Sequence, residues 1–307
     1  MELRHLRYFV VTAQLEHFGR AAARLSIVQP ALSKQIRELE AEIGTPLFER
    51  LSRGVRLTAA GRAFLHEATA LLAQVNQAAQ RARDVGHGKA GRLRVGFVDT
   101  TIYHPALPRI IHDFRRQFPA VQLDLVQQPS LAQGELLRAG SIDVGFVYHQ
   151  PANLPQLASH PLDTEKIVLA VPRTHRFAAR RQVRLAELRD EPFVWIPRAV
   201  SPPFYDGVFA ACQKHGFAPR IVQEGHTDLT ILSLVATGVG LTFCVASTAH
   251  RKPREVALVH LPDLKLAVRL DAVWRTDHAN PALPHFLSVV QQAGKRAAGR
   301  RSASNFH

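Results

Sequence analysis

Between Phe18 and Arg56 the apolar positions fall into short periodic blocks. Leu32, Ile36, Leu39 and Ile43 recur at three- and four-residue spacing, which predicts an amphipathic helix running from Gln29 to Glu40. Pro30 stands in its first turn, where a missing N–H costs nothing. The opposite face carries Gln29, Pro30, Ser33, Lys34 and Arg37, a polar set suited to base edges and phosphates. Before it, Gly19-Arg20-Ala21-Ala22-Ala23-Arg24-Leu25 reads as a helix whose small alanines admit close approach, and Ser26-Ile27-Val28 as the turn. Leu3, Leu6, Phe9, Val10 and Ala13 mark a third helix upstream. Downstream, Thr45–Arg50 and Val55–Thr58 read as two short strands around a turn at Ser52-Arg53-Gly54, with Arg53 on the tip. Amphipathicity alone describes almost any surface helix. A helix, a helix-turn-helix and a two-stranded wing in that order are far more specific, and a tip arginine suits the negative potential of a minor groove.

From Thr58 to about Asp84 the period shortens. Phe64, Ala68, Leu71, Val75, Ala78, Ala82 and Val85 alternate steps of four and three, a 3.5-residue repeat. The helix would extend roughly 40 Å at 1.5 Å per residue, and its seam predicts a two-stranded pairing between copies of the chain. Val85–Gly91 holds three glycines and is expected to break this helix as a hinge.

Beyond Arg92 strands and helices alternate: strand Leu93–Val98, helix from Leu107, strand Val121–Val126, helix Leu131–Ala139, strand Ile142–Val147. That repetition implies a parallel sheet with ligands at the strands' carboxyl ends. A second set starts at Ile167–Val171 and continues through Phe193–Ile196, helix Tyr205–His215, strand Ile221–Gln223, helix Leu229–Thr237 and strand Leu241–Cys244. Leu266–Trp274 then returns to the first lobe. The expected fold class is α/β, with an N-terminal winged helix-turn-helix at 1–58 and a linker helix and hinge at 59–90. A two-lobed ligand-binding domain follows at 91–294, lobe I being 91–160 plus 267–294 and lobe II 161–266. Residues 295–307 read as a basic disordered tail.

The runs Met1-Glu2-Leu3-Arg4-His5-Leu6-Arg7-Tyr8-Phe9, Arg20-Ala21-Ala22, Gln29–Ile36 and Pro46-Leu47-Phe48-Glu49-Arg50 resemble LysR-type transcriptional regulators. The likeness is dense over the first sixty residues and continues more weakly to the end. It implies that Gln29, Pro30, Ser33 and Lys34 read a major groove and Arg53 a minor groove. It also implies that the two-lobed part resembles periplasmic solute-binding proteins and takes a small-molecule effector, a carboxylate or aromatic acid, in its cleft. By the same resemblance Thr100 stands where many members have a serine gripping the effector, and Ser130 matches a second hydroxyl. An extra residue before Leu107-Pro108 leaves Thr100 and Thr101 as alternatives. Phe204, at a helix start across the cleft, suits an aromatic or alkyl effector, and Thr227 is a further candidate. Three departures from the family pattern stand out. Gly19 replaces the usual Ser or Thr and is expected as a serviceable N-cap, Asp99 places negative charge beside the carboxylate site, and Val245 replaces a proline. The expected partners are a double-stranded operator, an effector, a second or further copies of the chain, and RNA polymerase.

Composition adds little to this. The 307 residues carry a net charge of +14, which favours a polyanionic partner. Yet residues 1–88 hold only 12 Lys/Arg against 8 Asp/Glu. Cys212 and Cys244 have no metal or redox spacing and are expected as free thiols in a reducing cytoplasm. No apolar run reaches membrane-spanning length, and no cofactor is expected. Gly238-Val239-Gly240 lacks the third glycine of a dinucleotide loop. No catalytic constellation is present, so an enzyme built on the two-lobed part is the weaker reading.

Overall fold

The computed structural model describes residues 1–51, 54–148 and 156–304, with side chains to Gly294. The chain divides into two compact units, Met1–Asp84 and Val85–His307.

The first unit contains α1 (Leu3–Leu15), α2 (Phe18–Arg24), α3 (Gln29–Ile43), strands β1 (Phe48–Arg50) and β2 (Val55–Leu57), and α4 (Ala59–Gly86). The expected stripes converge on one core: Leu6, Phe9, Ala21, Leu32, Ile36 and Leu39 are all buried. Phe9 is its hub, with its ring 5.3 Å from Phe48 and 5.0 Å from Phe64. α3 runs one turn past Glu40 and ends at Gly44, in the left-handed conformation that glycine adopts without penalty. Gly19 is not the cap of α2. His17 takes that role, its Nδ1 accepting from the N–H groups of Gly19 (3.0 Å) and Arg20 (3.3 Å). The imidazole thus supplies the acceptor that the usual hydroxyl would have provided.

The second unit is built on a mixed sheet. Its strands are β3 (Ala90–Phe97), β4 (Ala120–Gln127), β5 (Val144–Tyr148), β6 (Leu157–Pro172), β9 (Thr242–Val245), β10 (Val256–Val259) and β11 (Ala267–Arg275). The order is β10-β6-β11-β5-β3-β4, with β9 on β6. β3, β4 and β5 are parallel, as the strand–helix alternation predicts. α5 (Ala106–Gln117), α6 (Ser130–Arg138) and α9 (Leu283–Ser304) accompany them. A separate parallel pair, β7 (Pro192–Trp195) and β8 (Arg220–Glu224), lies with α7 (Pro202–Lys214) and α8 (Asp228–Ala236).

Two differences from the expected layout matter. β6 is a single sixteen-residue strand, although its first half shows no alternation in sequence. Leu157–Lys166 pairs with β11 and Ile167–Pro172 with β9 and β10, so one strand belongs to both lobes. The ladder shifts register at Leu270/Asp271, next to Pro161, which has no N–H to donate. The second difference is at the C-terminus, where α9 keeps the backbone helical to Ser304 instead of releasing a disordered tail at 295. Ala, Lys and Arg propagate a helix well once its first turns are anchored, and Phe286, Val289 and Val290 anchor it.

Candidate DNA-reading face and ligand cavity

α3 separates its faces cleanly. Leu32, Ile36 and Leu39 are at most 1% exposed. Gln29, Pro30, Lys34 and Arg37 are open to solvent and Ser33 is half-buried at the edge. The residue before the helix, Val28, offers no side-chain cap; Pro30 has no N–H, and the Ala31 and Leu32 N–H groups both donate to the Val28 carbonyl, so backbone bonds close this helix end. Arg37 Nε donates to the Ser33 carbonyl at 3.3 Å, and Lys34 lies 3.8 Å from Glu38, a loose pair that leaves the ammonium available.

The wing is tied to α3 by a residue the periodicity did not single out. Glu40 Oε1 accepts from the N–H groups of Leu47 (2.8 Å) and Phe48 (3.0 Å), joining the end of α3 to the start of β1. The only hint in sequence was an acidic residue beside an apolar stripe. At the far end, Gly54 has φ +87°, and a Cβ there would lie 2.7 Å from the Glu16 carbonyl oxygen. Arg53 lies outside the described residues. Glu40→Ala should lower the stability of the first unit by about 2 kcal/mol, since two donors lose a charged acceptor. Glu40→Gln should recover most of that loss in urea titrations monitored by circular dichroism. Equal midpoints for wild type and Glu40→Ala would show the anchor to be idle.

In the second unit the ends of β3, β4 and β7 and the starts of α6, α7 and α8 enclose a cavity of about 290 Å³. Four of the five expected effector residues line it: Thr100, Ser130, Phe204 and Thr227. Thr101 does not. It is fully buried and its Oγ1 donates to the Val98 carbonyl at 2.6 Å, closing the short 3-10 turn Asp99–Ile102. The same turn leaves Thr100 on the cavity wall and Thr101 in the interior. Ser130 Oγ accepts from the Tyr148 N–H at 3.1 Å, which fixes the hydroxyl and leaves its proton to donate. Thr227 accepts from the Thr230 N–H and caps α8, so one of its bonds is structural.

Other cavity residues carried no signal in sequence. Trp195 and Phe243 form its aromatic back wall, with ring centroids 5.4 Å apart. Tyr148 also lines it, and its hydroxyl donates to Glu165 Oε1 behind the wall; Glu165 Oε2 accepts from Ser247 N–H at 2.8 Å. Burial and then the neighbouring Glu165 charge hold the Tyr148 phenol above its ordinary range. Asp228 brings a carboxyl into the cavity at the first position of α8, and its Oδ2 is closed off from solvent without a partner. Burial, reinforced by the charge of Asp99, pushes it up to about 7. Burial also pushes the Cys244 thiol in the same wall up to about 12, so that it stays protonated. Among the described residues no group of His, Cys, Asp and Glu could hold a metal, and no helix is long and apolar enough to cross a membrane.

Residues 3–62 match the bacterial regulatory helix-turn-helix protein, lysR family, and residues 86–295 match the LysR substrate binding domain. The chain is 35% identical to the transcriptional regulator AlsR of Bacillus subtilis (strain 168), over 94% of this chain and 95% of AlsR. It is 38% identical to IlvR of Caulobacter vibrioides, over 96% and 99% of the two chains. Among solved structures, full-length CbnR complexed with its target DNA superposes with a TM-score of 0.79 at 30% identity, covering 96% of this chain and all of that one. Full-length BenM gives 0.57 at 31% identity, over 98% of each. The two family models together cover nearly the whole chain, the first over its helix-turn-helix and the second over its two-lobed α/β domain, and the chain belongs to the LysR family of ligand-responsive, DNA-binding transcriptional regulators.

Proposed function

We propose that the regulator binds an interrupted palindromic operator as a dimer or higher oligomer, with α3 of each copy in a major groove. A ligand in the cavity then shifts the population between two arrangements of the readers. The observation that carries this reading is the exposed face of α3, where Gln29, Pro30, Ser33, Lys34 and Arg37 stand opposite a buried Leu32–Ile36–Leu39 stripe. The solved complex of CbnR with its target DNA supports the same use of this unit. Pairing along α4 is supported by the later part of its seam, which a single chain leaves uncovered, Leu71 being 42% and Val85 48% exposed, whereas Phe64 and Ala68 at its start pack into the core of the first unit. Arg53, from the wing, is assigned to the minor groove by its place in the sequence. Thr100, Ser130, Phe204 and Thr227 are assigned to the effector by their place in the cavity. A regulator of this kind works in the cytoplasm, where the bound oligomer recruits or blocks RNA polymerase.

The test is a footprint on the DNA upstream of the protein's own gene, with competitor DNA and a salt titration. Gln29→Ala and Ser33→Ala should each reduce discrimination between operator and scrambled sequence by about 1–3 kcal/mol, the worth of a good base contact. Binding to non-specific DNA should stay unchanged. Footprints identical to wild type would remove α3 from the groove.

A further inference from the structure

The chemistry of the cavity wall is not that of an anion site. Two carboxyl groups, Asp99 and Asp228, line it, with no Lys or Arg and with His226 as the one basic side chain among the lining residues. Three residues lining it carry a buried polar atom with nothing to bond: Asp228 Oδ2, Thr248 Oγ1 and the indole N–H of Trp195, a residue only 2% exposed. Buried polar atoms are nearly always satisfied, so an unpaired acceptor, an unpaired donor and a hydroxyl that can act as either, all on residues lining one cavity, describe the ligand that completes them. The acceptor asks for a donor, and a positively charged one suits it best because Asp99 adds a second negative charge nearby. The indole N–H can only donate, so it asks for an acceptor oxygen. Val98, Ile196, Phe204, Ile231 and Phe243 leave an apolar remainder between these points.

We propose that this cavity selects a zwitterionic ligand, an apolar α-amino acid, whose ammonium group is held by Asp228 and Asp99 and whose carboxylate takes the Trp195 N–H and the Thr100 and Ser130 hydroxyls. The inference rests on the cavity being the effector site and changes what that site recognises: the ammonium group, and not the carboxylate alone, becomes the discriminating feature. It accounts for the acidic residue at position 99, which opposes a simple carboxylate ligand and favours a zwitterion. It also accounts for the raised carboxyl of Asp228, since a cation beside it restores the charge that burial suppresses.

The test is calorimetric titration of the full-length protein at pH 7.5 with matched probes. L-phenylalanine is compared with 3-phenylpropionate, and L-leucine with 4-methylpentanoate, each acid keeping the apolar body and the carboxylate but lacking the amine. At least one amino acid should bind tenfold or more tightly than its matched acid. Asp228→Asn should erase that preference, weakening the amino acid at least tenfold and leaving the acid unchanged. Melting curves establish that the variant is folded. Acids binding as well as the amino acids, an unaltered preference in Asp228→Asn, or no binding by either amino acid would each overturn the proposal. Phe204→Ala separates this failure from failure of the site itself. Acid binding that is lost in Phe204→Ala leaves the effector cavity standing without an ammonium site. Acid binding that survives it moves the effector elsewhere.

Discussion

Asp228→Asn should stabilise the ligand-free protein at pH 8 by about 3 kcal/mol and leave it nearly unchanged at pH 4. The folded carboxyl keeps its proton up to about pH 7, whereas in an unfolded chain it releases it near 3.8. Folding therefore takes up a proton between those values, and the stability this provides is present below pH 3.8 and lost as pH rises through 7. Asparagine carries no charge at any pH and escapes the loss. About three pH units at 1.36 kcal/mol each give roughly 4 kcal/mol. The N-terminus of α8 favours a negative charge at this position and returns up to about 1, leaving the figure above. Among neighbouring titratable groups, Asp99 acts directly by adding to the shift; Tyr103, Tyr148 and Cys244 in turn feel the Asp228 charge, and His226 lines the same cavity. Thermal melts of both proteins from pH 4 to 8 read the effect, about 2–4 °C per kcal/mol for a unit of this size. A constant difference across that range would mean that Asp228 is hydrated and ionised throughout.

Gly61→Ala should cost the first unit about 3 kcal/mol and abolish specific DNA binding. On helix propensity alone the substitution would stabilise α4 by nearly 1 kcal/mol, so the sign of the effect is itself diagnostic. A Cβ at Gly61 would lie 2.1 Å from the Leu47 carbonyl oxygen and 2.9 Å from Leu57 Cδ2. Relief requires α4 to retreat from the strand pair. Retreat breaks the cap in which Thr58 Oγ1 accepts from Gly61 N–H at 2.9 Å and donates to the Pro46 carbonyl at 2.8 Å. Overpacking of this kind costs about 1–3 kcal/mol before the hydrogen bonds are counted. Urea unfolding followed by circular dichroism should show an earlier transition for the first unit and an unchanged one for the second. A neutral or stabilising result would show that the backbone yields at no cost.

The reading unit was legible because its physics is local. Three- and four-residue spacing of Leu32, Ile36 and Leu39 fixes which face is buried, and the polar remainder follows. What escaped there were contacts between elements: His17 capping α2, Glu40 reaching β1, and the close approach at Gly61. In the second unit the parallel strands were plain from their apolar runs. β6 was only half visible, because Ser159, His160, Pro161 and Asp163 interrupt any alternation and the strand is held by pairing with β11. The cavity was legible only where hydroxyls followed strand ends. Thr100 and Thr101 are equivalent in sequence, and only the turn that buries one separates them. Asp228 carried no signal, since whether an acid beside a helix start faces water or a cavity depends on Trp195, more than thirty residues away.

The uninterrupted run of β6 through both lobes bears on how a bound ligand makes itself felt. Two halves that share one hydrogen-bonded plank cannot swing as though joined by a loose string. They must twist together, and the mismatch beside Pro161 is where the plank is weakest. A small molecule wedged between α8 and the end of β3 would therefore be sensed as torque along the sheet, conveyed to its outermost strands, more than as the snapping shut of a trap.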